Sequence, residues 1–399
     1  MSAVIIGPVF PYRGAISYCT VKLAEELTKE LDVRIVSFSR QYPKRFYPGG
    51  DDVDATIAHL APEGAIYSLD ILNPLTWLRE GLRLRRSNAG VIVLVWWIWI
   101  WALPYLTLLV IGRRGRPLVI QCHNISDKEP AWWKTKLANA LFKRASALVV
   151  HSKAGAAEAV ARLGVSAEAK MLTLFLPVLA IGGEPPARDE AKKALGLEGR
   201  DVALFFGHIR PFKGLDIALR AWKLMRRDAT LLVVGEVWFS DEEHYRSLAR
   251  DLGVASRVVF DFRFVPDAEV ATVFAAADVV VAPYRHEAQS GVAMNAFHFG
   301  RPVIASAVGG IPEIIVPGEN GDLVPPEDPE ALANSIDAFF ASSNRVLMEL
   351  GARESARNYS WERYGSEVGH LIETLAAGRT RRGGAPAAAK PHSDRLADE

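Results

Sequence analysis

Two cysteines, Cys19 and Cys122, are all the thiols in a chain of 399 residues. One pair cannot build a disulfide framework, so a reducing, cytoplasmic setting is expected. Several short motifs are missing as well. There is no G-x-G-x-x-G dinucleotide fingerprint, no P-loop, no G-x-S-x-G, no H-E-x-x-H and no Cys/His cluster spaced for a metal. No secretory signal is expected, because Met1-Ser2-Ala3-Val4-Ile5-Ile6 lacks a basic start and is too short for an apolar core. Net charge is nearly absent, at +1, yet it is unevenly spread. Met1–Lys170 holds 22 Lys and Arg against 14 Asp and Glu, and the remainder holds 25 against 32. A basic first half favours anionic lipid headgroups or an anionic acceptor; simple scatter is the bland alternative. Nucleic acid is not expected as a partner. Attachment would be peripheral, at the inner face of a membrane.

Half of the residues are hydrophobic, enough for two domains with separate cores. Ala3–Ile6 reads as a buried strand and Gly7–Ala15 as a Pro/Gly loop. Helical spacing follows at Ile16, Leu23, Leu27 and Leu31, then a strand at Val33–Phe38. This order predicts a parallel sheet covered by helices. Tyr42–Asp54 reads as a loop. The second half predicts strands at 202–206, 230–234, 258–260, 279–282 and 303–305, with helices between them. Asp328-Pro329-Glu330 opens a last helix, with Asp as N-cap and Pro first inside. Strands this apolar, without alternation, are buried on both faces. The fold class expected is therefore α/β, with two Rossmann-like, doubly wound parallel-sheet domains facing a cleft.

Val91–Ile111 is a run of 21 uncharged residues, long enough to span a bilayer. Trp96, Trp97, Trp99 and Trp101 cluster near its middle, Pro104 interrupts it, and arginines flank both ends. The better reading is a strand, an aromatic loop and a helix from about Ala102, followed by a strand at Leu118–Gln121.

In tandem open α/β domains, ligands bind at the carboxyl ends of strands. Three strand ends carry chemistry. Ser290-Gly291 is a small-residue turn at a helix N-terminus, where free N–H groups and the helix dipole favour a phosphate. Arg210 and Lys213 lie between a strand end and a helix start, placed to meet phosphate oxygens, or else as solvated loop cations. Glu287 can accept from sugar hydroxyls, or be a surface glutamate. Asn295 lies eight residues on, in the short helix. His123 ends another strand and is either an acid, base or donor, or a structural histidine. Asp127 and Glu129 read as helix-start acids.

With these residues in hand, the chain resembles the GT-B glycosyltransferases. The similarity is to the large retaining family (family 4-like, glycosyl transferases group 1) that includes mannosyl- and glucosyltransferases of cell-surface glycans. It extends over nearly all of residues 1–375. It is strongest at Phe205-Phe206-Gly207 through Lys213-Gly214, at Phe264-Val265-Pro266-Asp267, and from Gln289 to Asn320. The resemblance implies transfer of a hexose from a nucleoside diphosphate sugar to a hydroxyl of a glycan or lipid-linked acceptor, with retention and without metal or other cofactor. Arg210 and Lys213 would neutralise the diphosphate, and Phe264 and Val265 would lie by the base. Glu287 would touch the donor sugar. Gln289, Ser290, Gly291 and Val292 would line sugar and phosphates, and Gly14 would lie near the diphosphate. His123 would sit near the acceptor. Three departures stand out. Asn295 replaces a ribose-binding glutamate, His208 stands where arginine is familiar, and Ala15 replaces a second glycine. Asn295 motivates an alternative, a non-catalytic nucleotide-sugar-binding subunit of a glycosyltransferase complex. The implied organisation is an acceptor-side domain at 1–181, a linker at 182–200, a donor domain at 201–356, a crossover helix at 357–377 and a disordered tail at 378–399.

Overall fold

The computed structural model describes residues 1–43, 51–126 and 131–381, with side chains up to 378. Asp127 and Glu129, most of the loop expected at 42–54, and residues 382–399 lie outside the described residues.

Apolar runs become strands. The first sheet comprises β1 (Ser2–Ile6), β2 (Asp32–Arg40), β3 (Ile66–Asp70), β4 (Val91–Trp96), β5 (Leu118–Cys122), β6 (Ala147–Val150) and β7 (Met171–Thr173). The second comprises β8 (Asp201–Phe206), β9 (Ala229–Val234), β10 (Val258–Asp261), β11 (Val279–Ala282), β12 (Val303–Ser306) and β13 (Gly321–Val324). The orders are β3-β2-β1-β4-β5-β6-β7 and β10-β9-β8-β11-β12-β13, with parallel pairing throughout. Interior strands β4 and β9 are buried along their whole length, as expected when helices cover both faces.

Helices alternate with the strands. In the first domain they are α1 (Ala15–Thr28), α2 (Pro74–Arg86), α3 (Ala102–Gly112), α4 (Trp132–Phe142) and α5 (Lys153–Leu163). The 91–111 run thus divides into β4, a short turn at Trp99–Trp101 and α3. Among the described residues no helix is long and apolar enough to cross a membrane. The second domain carries α6 (Arg188–Ala194), α7 (Leu215–Leu224), α8 (Glu242–Asp251), α9 (Asp267–Ala276), α10 (Gly291–His298), α11 (Pro329–Ala341) and α12 (Arg345–Asn358). Asp328 caps α11 by accepting from Ala331 N at 2.8 Å, with Pro329 at the first turn.

Part of the segment read as linker is helical. α6 lies within 182–200 and packs on α9, and Lys192 reaches the buried Asp278 at 2.9 Å. The last helix, α13 (Trp361–Arg381), runs on past Gly378. It returns to pack on α1 of the first domain. The chain therefore passes between domains twice, and the two passages are joined. Val178 N donates to Tyr359 O at 2.9 Å, and Trp361 Nε1 donates to Val178 O at 2.9 Å. Tyr364 OH accepts from Gln121 Nε2 at 2.9 Å.

Strand order reverses between β1 and β4 and between β8 and β11. Loops after those four strands diverge and leave a crevice.

Candidate functional site

Those four loops, together with the loops after β5, β9 and β10, line a cavity of about 660 Å³ between the domains. From the first domain come Arg13, Gly14, Trp97 and Asn124. From the second come His208, Arg210, Lys213, Glu236, Phe264, Glu287, Gln289 and Asn295.

Helices α1 and α10 begin at this cavity. α1 opens at Gly14, which gives its first turn no side-chain cap. α10 opens at Ser290, whose Oγ accepts from Ala293 N at 3.1 Å. The first amides of any helix lack intrahelical partners, so both helices present N–H groups and positive dipole ends here. They are close neighbours, since a Cβ built on Gly291 would lie 4.0 Å from Ala15 Cβ. The same Cβ would lie 2.9 Å from Leu179 Cδ1, so the side-chain space at Gly291 belongs to protein packing. Ser290 is 1 % exposed and lies beneath the cavity wall, while Gly291 and Val292 line it.

Cations line the same cavity. Lys213 follows β8, and its Nζ meets Glu287 Oε2 at 2.8 Å, with side chains only 15 % and 8 % exposed. Nζ also sits 3.8 Å from the Tyr284 ring centroid. Burial pushes the Lys213 pKa down, but Tyr284 and Glu287 outweigh it and the net shift is upward, so the ammonium stays charged. The Arg210 guanidinium lies 4.6 Å from the centroid of the Trp238 ring. His208 stacks on the same ring, with centroids 4.1 Å apart. Removal from water, then Arg210, Lys213 and Arg13, pushes the His208 pKa down to about 3.

Phe264 lines the cavity and carries the Arg13 guanidinium 4.0 Å above its ring. Val265 is buried beside it. Asp267 begins α9 here, and burial followed by the charge of Asp54 raises its pKa to about 6. The Gln289 Oε1 atom is buried without a protein partner, and the residue lines the cavity. Asn295 is 4 % exposed, so it is buried in the helix rather than turned to water. Its Oδ1 accepts from Ile181 N at 3.4 Å.

The loop after β12 holds Glu287 and Ala288 in place. A Cβ on Gly309 would collide with Glu287 O, and Gly310 N donates to Ala288 O at 3.1 Å. Glu313, just beyond, crosses to the first domain. Its carboxylate accepts from Lys153 N at 2.8 Å and Ala154 N at 3.0 Å, capping α5.

His123 is not among the residues that line the cavity. Its ring packs 5.0 Å from that of His151, which stacks on Tyr364 of α13. Burial, then His151, pushes the His123 pKa well below the usual value. Asn124, the next residue, lines the cavity instead. Arg13, Glu236 and Trp238 were missed by sequence reasoning, although each follows a strand end, which is the signal that would have found them. Among the described residues no three of His, Cys, Asp and Glu cluster to hold a metal ion.

Comparison with known proteins agrees with this architecture. Residues 200–342 match the family described as Glycosyl transferases group 1. The D-inositol 3-phosphate glycosyltransferase of Corynebacterium efficiens is 32 % identical over 220 residues, covering 53 % of this chain and 50 % of that protein. The match therefore spans about half the length of that curated relative. The sucrose-phosphate synthase of Thermosynechococcus elongatus superposes with a TM-score of 0.76 at 20 % identity, covering 95 % of this chain and 100 % of that one. The Anabaena protein HepE, solved in complex with UDP and glucose, gives 0.75 at 18 % identity, covering 94 % and 100 %. The second domain of this chain is thus a Glycosyl transferases group 1 domain, and the whole has the two-domain fold of the GT-B glycosyltransferases.

Proposed function

We propose that the protein is a retaining hexosyltransferase, moving a mannose- or glucose-type sugar from a nucleoside diphosphate to a hydroxyl of a glycan or lipid-linked acceptor in cell-surface glycan synthesis. One observation carries the reading. Two helix N-termini and the cations Arg13, Arg210 and Lys213 meet in a single inter-domain cavity. Such a place suits a diphosphate, because oriented N–H groups and fixed charges need little reorganisation as negative charge grows on the leaving group.

The donor would lie with its base against Phe264 and Val265 and its phosphates between the openings of α1 and α10. The sugar would reach toward Gln289 and Glu287. Binding would draw Lys213 from Glu287 to the phosphates, freeing the carboxylate to accept from a sugar hydroxyl. The orphaned Gln289 oxygen would accept another. As the bond from the anomeric carbon to the phosphate oxygen breaks, Lys213 and Arg210 would offset the new charge. The acceptor would enter beside Trp97 and Asn124. His123 would act behind this wall, setting the end of β5 rather than touching the sugar.

The test is a panel of UDP-, GDP- and ADP-sugars assayed for thermal stabilisation, then for nucleoside diphosphate release with and without acceptor glycans. One donor should stabilise the chain and turn over, with the anomeric configuration of the product retained by NMR. Stabilisation by no donor would overturn the reading. Binding without any turnover would favour the alternative of a donor-binding subunit, which the engagement of Asn295 by Ile181 N supports.

A further inference from the structure

Two helices on one face of the first sheet turn leucine toward water. α2 buries Trp77, Glu80, Gly81 and Leu84. Its outward stripe is Leu75, Leu78, Arg79, Leu82, Arg85 and Arg86, all exposed and all on one side by helical spacing. Leu75 is 71 % exposed. α3 repeats the pattern with Leu103 and with Val110 at 74 % exposed, and Arg114 follows its end. The helices lie in contact: a Cβ on Gly81 would be 2.9 Å from Ile111 Cβ, and one on Gly112 2.9 Å from Leu84 Cβ. Their stripes therefore adjoin. α4 packs beside α3 and begins with Trp132, 72 % exposed, with Lys136 Nζ 4.9 Å from its ring centroid.

Charge on this face has one sign. Residues 81–126 hold no acid, and of their six arginines Arg85, Arg86 and Arg114 are exposed. The preceding Glu80 is buried and paired with Arg83. Exposed leucine and tryptophan interleaved with arginine is the pattern of a helix face that lies in a bilayer interface. A scatter of single apolar residues would need no explanation, but a joined patch does.

We infer that the α2–α3–α4 face docks on an anionic lipid bilayer, with leucines and Trp132 at the headgroup boundary and Arg79, Arg85 and Arg86 on lipid phosphates. The charge argues against a second copy of this chain as the occupant. A two-fold interface sets a patch against itself, which would place arginine against arginine. The docked edge also approaches the cleft, since Trp133 packs 4.7 Å from Trp99, which lines the cavity. Use of that proximity for a lipid-linked acceptor rests on the proposed sugar transfer; docking itself does not.

The experiment is flotation of the full chain with vesicles of phosphatidylcholine alone or with about one third phosphatidylglycerol, at low and high salt. Binding should be at least about tenfold tighter to the anionic vesicles and weaken by a similar factor in high salt. R79Q/R85Q/R86Q should lose about two orders of magnitude in binding, and L75S/L78S/L82S at least about tenfold. Circular dichroism should be unchanged in both. Equal binding to both vesicle types, or wild-type binding by both variants, would overturn the inference. So would a dimer in solution that L75S/L78S/L82S converts to monomer.

Discussion

Lys213 and Glu287 form a pair whose two duties can be separated by experiment. At 2.8 Å, and with an effective dielectric near 20, their attraction is about 6 kcal/mol before desolvation is counted. Both side chains are mostly buried, so removing only one partner should cost about 3–5 kcal/mol. Lys213→Met leaves the Glu287 charge in place and should carry the full penalty. Glu287→Gln should cost less, because Nζ keeps the Tyr284 ring 3.8 Å away. The double variant should recover most of the loss. Urea unfolding, followed in the transition of the second domain, should show the Lys213→Met midpoint lower by about 1–2 M and the double variant near wild type. Turnover should not recover. Both variants lacking Lys213 should lose about two to three orders of magnitude in kcat, the usual effect of deleting one preorganised donor at a developing charge. A coupling energy below about 0.5 kcal/mol would show that the pair is energetically idle. A kcat for Lys213→Met within about threefold of wild type would remove this residue from the leaving-group chemistry.

Two further outcomes are expected. Glu313→Ala removes the carboxylate that caps α5 from the opposite domain and should weaken that contact by about 1.5–3 kcal/mol. Small-angle scattering should record a larger radius of gyration, and an unchanged profile would refute the role. Asp267 has a folded-state pKa raised to about 6, so between about pH 4 and 6 the native state holds more protons than the unfolded state. Its contribution to stability is therefore lost as pH rises through that window. Asp267→Asn should flatten this part of the stability–pH curve and stabilise the chain by about 1–2 kcal/mol at pH 7. A parallel curve for the variant would contradict it.

Five of the six strands of the second domain were legible because each is a short apolar run between turn residues, and the expected limits match within one or two residues. Two of the edge strands were not. Ile66–Asp70 and Gly321–Val324 carry polar or small residues on a half-covered edge, so no hydrophobic run marks them. α6 was hidden by the prolines just ahead of it. At the site, the strand-end rule led to Arg210, Lys213 and Glu287, and the family resemblance added Gln289. It could not supply Arg13 over Phe264, a contact between residues some 250 positions apart in separate domains. Nor could it tell His123 from Asn124. Side chains alternate along an extended chain, and which of two neighbours faces the cleft depends on register and on what α13 covers.

The junction at Val178, Tyr359 and Trp361 has a mechanical consequence. A single tether would let the halves swivel in any direction. Two tethers laced together at one spot act as a door hinge and leave mainly one angular freedom. The jaws should then swing along one arc, bringing Arg13 and Phe264 to the same register at each closure.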